Sequence, residues 1–357
     1  MPTNVIVLPL GATLSILSTY FGNLQQGSQV APQNPNYFNP QISVVGDTRY
    51  VLQNEIDQEN ERASIEEIEV GLAADADPFL RVEAYITFGE EEKENGEREP
   101  EAEIEEVFGW YTNLGAGFQA KAGKLAAAIG RVNRNHKDQL NYLDFPFVIT
   151  DFFGEEGFRA PGISISYLFP MEHYLEIALE TLDPHESTLF AGTGTSKPVW
   201  VSHIRTFFDF SNDLSAQLGL SYANGPSVTE GKRAQIYGTD WTMKWQPGIV
   251  GKSIELETEA YWAKSGIPGD STKFGTFASL TYQVAPRWFV LGKYDYSEIP
   301  GTQNIRKAWT VGVTNKITEF HHWRFQWQNV DSNFDASGNV FTLQFQWIIG
   351  VHPAHKY

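Results

Sequence analysis

The chain has 357 residues, with 10 Trp, 15 Tyr, 24 Phe, no cysteine and a net charge of -18. Without cysteine there are no disulfides, thiolate metal sites or cysteine nucleophiles, and so acidic a surface speaks against nucleic acid as a partner. Hydrophobic residues at 41% exclude disorder by composition, and no run of about 18 apolar residues free of breakers offers a transmembrane helix.

In chain order, residues 1–39 read as a separate N-terminal segment. Asn4 to Leu17, NVIVLPLGATLSIL, is apolar but interrupted by Pro9, and no basic stretch precedes it. It is expected to be a degenerate or truncated signal, or a segment packed in the lumen or lying in the periplasm. QQGSQVAPQNPNYFNP then reads as a linker.

From Pro40 onward one pattern repeats: segments of about ten alternating residues, separated by turn residues. Sixteen strands are expected, at 41–52, 64–74, 79–90, 102–113, 117–125, 162–169, 174–182, 199–211, 214–224, 233–245, 253–264, 273–284, 288–298, 305–316, 321–331 and 339–351. About ten residues is the length that crosses a bilayer at a steep tilt. Helical periodicity is nearly confined to 125–142. Connections alternate between short turns, such as DADP and VAPR, and longer loops, such as DPHESTLFAGTGTSKP. Sorting loops by length in this way is a mark of outer-membrane barrels, whose short turns lie in the periplasm. An even strand count returns both ends to the same side. The expected fold is therefore all-β: a transmembrane antiparallel β-barrel spanning 40–357.

The alternation assigns the faces. In 339–351, Phe341, Leu343, Phe345, Trp347 and Ile349 alternate with Thr342, Gln344 and Gln346. A soluble barrel of sixteen strands would need an implausibly large apolar interior, whereas an inverted one turns its apolar face to lipid and its polar face to water. A charge at Phe345 is expected to be costly and one at Gln344 cheap. Trp200, Trp241, Trp245, Trp262, Trp288, Trp323 and Trp347, with Trp110, fall near strand ends and are expected to form the membrane girdle. The expected lumen wall includes Glu67, Glu69, Arg81, Glu83, Arg205, Asp240, Glu255, Glu257, Glu259 and Arg324. Acids outnumber bases on these faces, which points to a mild cation preference.

The stretch GKLAAAIGRVNRNHKDQLNYLDFPFVITDFFGEEGFRAPGISISYLFP, Gly123 to Pro170, resembles outer-membrane porins of the phosphate-selective porin O and P type. It is still more similar to a set of bacterial outer-membrane barrels often labelled TonB-dependent or zinc-regulated receptors, as is the ending HPAHKY. The resemblance implies that about Arg131 to Arg159, the third loop, folds inward as a pore constriction. Arg131, Arg134, His136, Lys137 and Asp138 are the constriction residues expected on that basis, with the basic four facing an acidic wall. Two departures stand out. The 39 residues before the first strand are too few for a receptor plug, and the lumen faces carry no ladder of arginines for phosphate.

Other motifs carry less. GEEEKENGEREPEAEIEE, Gly89 to Glu106, reads as a solvated loop that could bridge divalent ions near lipopolysaccharide. His352 and His355 are spaced H-x-x-H, but Pro353 rules out a helical metal clamp, and the neighbours His321 and His322 face opposite ways on a strand. No metal or other cofactor is expected. No G-x-S-x-G, H-E-x-x-H or phosphate loop occurs, so no enzyme is expected. DPHES places Ser, His and Asp together only in sequence, which does not make a triad, and a barrel hydrolase ranks third. The leading expectation is a porin integral to the bacterial outer membrane, passing small hydrophilic solutes or ions. Its expected partners are those solutes, outer-membrane lipid and lipopolysaccharide, with a homotrimer as the assembly. The alternative is a structural or binding barrel with a closed lumen.

Overall fold

The computed structural model describes residues 40–350, apart from 55, 57–62, 93–97, 113, 185–186 and 191–196. The expectations for residues 1–39 and for His352 and His355 fall outside the described residues. The described residues form β1 (Gln41–Asn54), β2 (Ala63–Asp75), β3 (Leu80–Glu92), β4 (Arg98–Tyr111), β5 (Phe118–Ala126), β6 (Arg159–Leu168), β7 (Leu175–Leu182) and β8 (Val199–Asp209). They continue with β9 (Leu214–Pro226), β10 (Arg233–Trp245), β11 (Ser253–Lys264), β12 (Lys273–Ala285), β13 (Trp288–Glu298), β14 (Ile305–Lys316), β15 (His321–Ser332) and β16 (Gly338–Gly350). Each strand pairs antiparallel with its chain neighbours, and β1 pairs with β16, so the sheet closes. Closure leaves no row of free N–H and C=O groups, a condition that a lipid environment imposes on any sheet.

The faces are inverted relative to a soluble barrel. On β14, Trp309, Val311 and Val313 are exposed, whereas Thr310 and Thr314 are buried. On β16, Thr342, Gln344 and Gln346 are buried while Ile349 is exposed. The outer surface continues through Ile163, Ile165, Leu179, Leu218, Leu220 and Phe325, all exposed. So much exposed apolar surface on a closed barrel is stable only against lipid. The protein is built as an integral β-barrel of the outer-membrane type. One rim carries short connections such as 76–79, 210–213 and 286–287, and the other carries longer ones such as 127–158, 183–198 and 265–272.

Most of the acidic run at 89–106, its residues 89–92 and 98–106, is strand and not loop. β3 and β4 extend into it, pairing from Leu80↔Tyr111 to Glu92↔Arg98. Two register shifts also change which side chains face inward. Between β1 and β2 the register moves from Asp47↔Glu67 to Thr48↔Ile65, leaving Glu66 as an extra residue. Between β3 and β4 it moves from Tyr85↔Glu106 to Ile86↔Ile104, leaving Glu105 extra. A bulge lets two consecutive side chains share one face. Glu105 and Glu106 are accordingly both buried.

Residues 127–158 fold inward. They contain two 3-10 turns, Val132–Arg134 and Lys137–Gln139, and one short helix, α1 (Phe147–Phe153). Pro146 precedes the first turn of α1, and Gly154, with φ 114°, ends it. The helical period at 125–142 does not produce an α-helix. The backbone N–H groups of Gly130, Arg131 and Val132 donate to Ser221 and Glu259 on the wall, where a helix would need them for itself.

The inner wall is not polar throughout. Phe145, Val148, Ile149, Phe152, Phe153 and Phe158 of the loop pack in one cluster with Val199, Val201, Ile236, Tyr261, Ala263 and Phe277. Phe153 stacks on Phe158 at 5.8 Å and Phe158 on Phe190 at 5.5 Å. A loop crossing a lumen needs such an apolar landing patch, because hydrogen bonds alone contribute little net stability in competition with water.

Candidate functional site in the barrel interior

The loop is tied to the wall in almost every direction. Ala128 N–H donates to Glu180 on β7 at 2.8 Å, and Gly130 N–H donates to Ser221 on β9 at 2.9 Å. Glu259 on β11 accepts from the Arg131 and Val132 N–H groups at 2.7 and 2.8 Å, and from the Tyr261 hydroxyl at 2.6 Å. Phe147 N–H donates to Asp295 on β13, and Arg306 on β14 pairs with Asp151. Arg324 on β15 donates to Leu140 O at 2.9 Å, and Gln346 on β16 donates to Asp138 O at 3.1 Å. Arg49 on β1 pairs with Asp144 at 2.7 Å. Loop and wall thus form one polar network, although buried atoms such as Arg134 Nε and Gln344 Oε1 find no hydrogen-bond partner among the described residues.

The structure separates the expected constriction residues. Arg131 reaches β10 and β11, 3.2 Å from Glu257 and 3.9 Å from Glu255, and it donates to Thr242 at 3.0 Å. His136 and Lys137 point to the opposite wall. The His136 Nδ1 lies 2.9 Å from Glu69 on β2 and 2.8 Å from Glu105 on β4, while Lys137 pairs with Glu156 at 2.6 Å and approaches Glu67 at 3.9 Å. Arg134 lies among the charges of Arg205, Asp240 and Glu176. The basic residues therefore fan out to separate acids and do not face one acidic wall together. Burial disfavours the charged imidazolium of His136, but Glu105 and Glu69 outweigh it and hold its pKa well above the usual histidine value.

The remaining wall residues all line the interior. Arg81 pairs with Glu83 at 2.7 Å, and Arg205 pairs with Glu176 at 2.8 Å. Asp240 is buried 4.0 Å from His203. Glu255 approaches Lys244 at 3.8 Å. Several partners were missed from sequence. Glu66, Glu105 and Glu106 were hidden by the bulges, and Arg159, 2.7 Å from Glu105, sits where β6 begins earlier than its pattern suggests. A run of consecutive acids opposite an alternating strand was the available signal. Of the girdle residues, Trp200, Trp241, Trp245, Trp262, Trp288 and Trp323 are exposed, and Trp347 is partly covered. Trp110 is not among them. It packs inward beneath Lys121, 4.9 Å from its ring, against the interior cluster.

A cavity of about 190 Å³ lies beside the loop, lined by Arg49, Ser64, Glu66, Asp144, Gln326 and Gln328 among others. Its most open carboxylates are Glu66 and Asp144, with 35% and 56% of their side chains exposed, against 9% for Arg49.

No family model matches the chain. A protein of Aquifex aeolicus, described as "Uncharacterized protein", is 26% identical over an alignment covering 98% of this chain and 86% of that protein. OprB of Pseudomonas putida superimposes with a TM-score of 0.60 at 10% identity, over 87% of this chain and 94% of that one. An anion-selective porin from Comamonas acidovorans superimposes with a TM-score of 0.58 at 11% identity, over 87% and 99%. These likenesses show the fold shared with outer-membrane porins.

Proposed function

We propose that the protein is an outer-membrane porin that passes small hydrophilic solutes or ions by diffusion, with residues 127–158 as its constriction. The observation that carries this reading is the combination of a lipid-compatible exterior with a polar interior spanned by one wall-anchored loop. Such a loop narrows a wide barrel to a defined passage and sets its charges there. Short turns then lie in the periplasm, the outer face meets lipid and lipopolysaccharide, and the assembly is a homotrimer. Phosphate selectivity is no part of the reading. A mild cation preference is, and it rests on the surroundings of the cavity, where Asp47, Glu66 and Asp144 share the guanidinium of Arg49 and leave an excess of negative charge. The neighbour from Comamonas acidovorans is described as anion-selective. Selectivity follows side chains and not the fold, so the two are compatible.

A second reading is a structural barrel with a closed lumen. It is favoured by the sealing of wall residues beneath the loop: Lys293, Asp295, Arg324, Gln344 and Gln346 are all at most 4% exposed. Single-channel recording of the purified chain in a planar bilayer separates the two. Discrete conductance steps with a reversal potential favouring cations are expected. A silent bilayer, with the barrel verified as folded and inserted, would select the closed reading.

A further inference from the structure

We propose that His136, Glu69 and Glu105 bind one divalent transition-metal cation, which clasps the inward loop to the β2–β4 wall. His136 comes from the loop, Glu69 from β2 and Glu105 from the bulge of β4, and all three are buried. One ligand atom from each lies within 4.8 Å of the others. Two carboxylate oxygens converge on a single imidazole nitrogen, Nδ1, at 2.8 and 2.9 Å. That nitrogen carries at most one proton, and its hydrogen bond is to Glu105. Among the described residues the Glu69 Oε2 atom, on a side chain 97% buried, therefore has only this shared imidazole nitrogen, at 2.9 Å, as its partner and makes no well-aligned hydrogen bond of its own. Two buried carboxylates competing for one imidazole proton are costly, and a cation between them would satisfy all three groups at once.

The surroundings fit that use. At metal–ligand distances of 2.0–2.2 Å, tetrahedral ligands stand roughly 3.3–3.5 Å apart, so the site need open by only about 0.5 Å. Glu105 offers Oε2, while its Oε1 is held by Arg159 at 2.7 Å, which fixes the carboxylate. The Tyr85 ring lies 4.5 Å from the imidazole and limits its rotation. Glu106 Oε1 lies 3.8 Å from Nε2, and with a small shift it could accept the Nε2–H hydrogen bond once Nδ1 is bound to metal. One imidazole with two carboxylates suits Zn2+ and its neighbours, whereas Ca2+ and Mg2+ prefer oxygen alone. The ligands lie at positions 69, 105 and 136, far apart in sequence, so no spacing motif announces them.

The test does not depend on whether the barrel conducts. The full chain, carrying His352→Ala and His355→Ala to remove the C-terminal imidazoles, is refolded in detergent, stripped with a chelator and titrated with ZnCl2 by calorimetry. One Zn2+ per chain is expected, with affinity falling at least tenfold in Glu69→Gln and in His136→Gln. Binding that neither substitution weakens, or no binding at all, would overturn the proposal. Should the variants not refold, Co2+ added to the parent chain decides the matter. A visible d–d band above that of aqueous Co2+, abolished by one equivalent of Zn2+, supports the site, and its absence overturns it.

Discussion

Arg49 on β1 and Asp144 in the inward loop lie 2.7 Å apart, and this pair joins the first strand of the barrel to the middle of the constriction. Desolvation by the surrounding wall pushes the Asp144 carboxyl up even though its side chain opens onto the cavity, but the Arg49 guanidinium overcomes it and holds it below the usual aspartate value of 3.8. A carboxyl with a depressed pKa contributes stability that is present above its unfolded value and is lost as pH falls through the folded one. Asp144→Asn should therefore lower the thermal unfolding midpoint in detergent by a constant amount from pH 8 to about 4. The difference should close only below that range. A gap that closes between pH 8 and 5 would show that Asp144 is not the titrating partner.

Gly130 begins the inward course with φ +63°, and a Cβ there would strike the Tyr261 hydroxyl and the Glu259 carboxylate. An L-residue in this conformation costs about 1–2 kcal/mol before any clash. Gly130→Ala should lower barrel stability by at least that amount and detach the Glu259 cap from Arg131 and Val132. Urea unfolding in detergent measures the first effect. Unchanged stability would mean that the loop does not enter the lumen at this point.

Arg131 and Glu257 are mostly buried and 3.2 Å apart. Removing one member of such a pair strands the other, typically at about 3–5 kcal/mol. Arg131→Gln should therefore destabilise the barrel strongly, and Arg131→Gln with Glu257→Gln should recover part of the loss. A double-mutant cycle reads the coupling, and strict additivity of the two effects would contradict the contact.

Phe345 and Gln344 test the two faces of β16. Arg at a lipid-facing position near the bilayer midplane costs roughly 2–4 kcal/mol, so Phe345→Arg should reduce folding yield in lipid vesicles. A charge at Gln344 is not cheap irrespective of sign, as the alternation alone suggests. Gln344 pairs with Arg49 on one side and with Arg324 on the other. Gln344→Glu should fold close to wild type, and Gln344→Arg should fold poorly. Equal yields for Phe345→Arg and Gln344→Glu would mean that the outer face does not meet lipid.

The strands themselves were legible in the sequence: β10, β11, β13 and β14 run over the residues that the alternation marks out. A period of two is written residue by residue, and in lipid every strand must pair, so a local pattern suffices to define strands, faces and closure. The placing of the third loop inside the barrel followed from resemblance and not from periodicity. What tertiary structure alone decided is which groups meet. Glu66 and Glu105 face inward because bulges arise between two strands and are invisible in either one. Arg131 and His136 are only five residues apart, yet they reach opposite walls because the loop crosses the lumen between them. An apolar patch on β8, β10, β11 and β12 breaks the polar rule for the inner face where Phe152 and Phe153 come down on it. Each of these turns on distances between segments remote in sequence, which one-dimensional alternation does not encode.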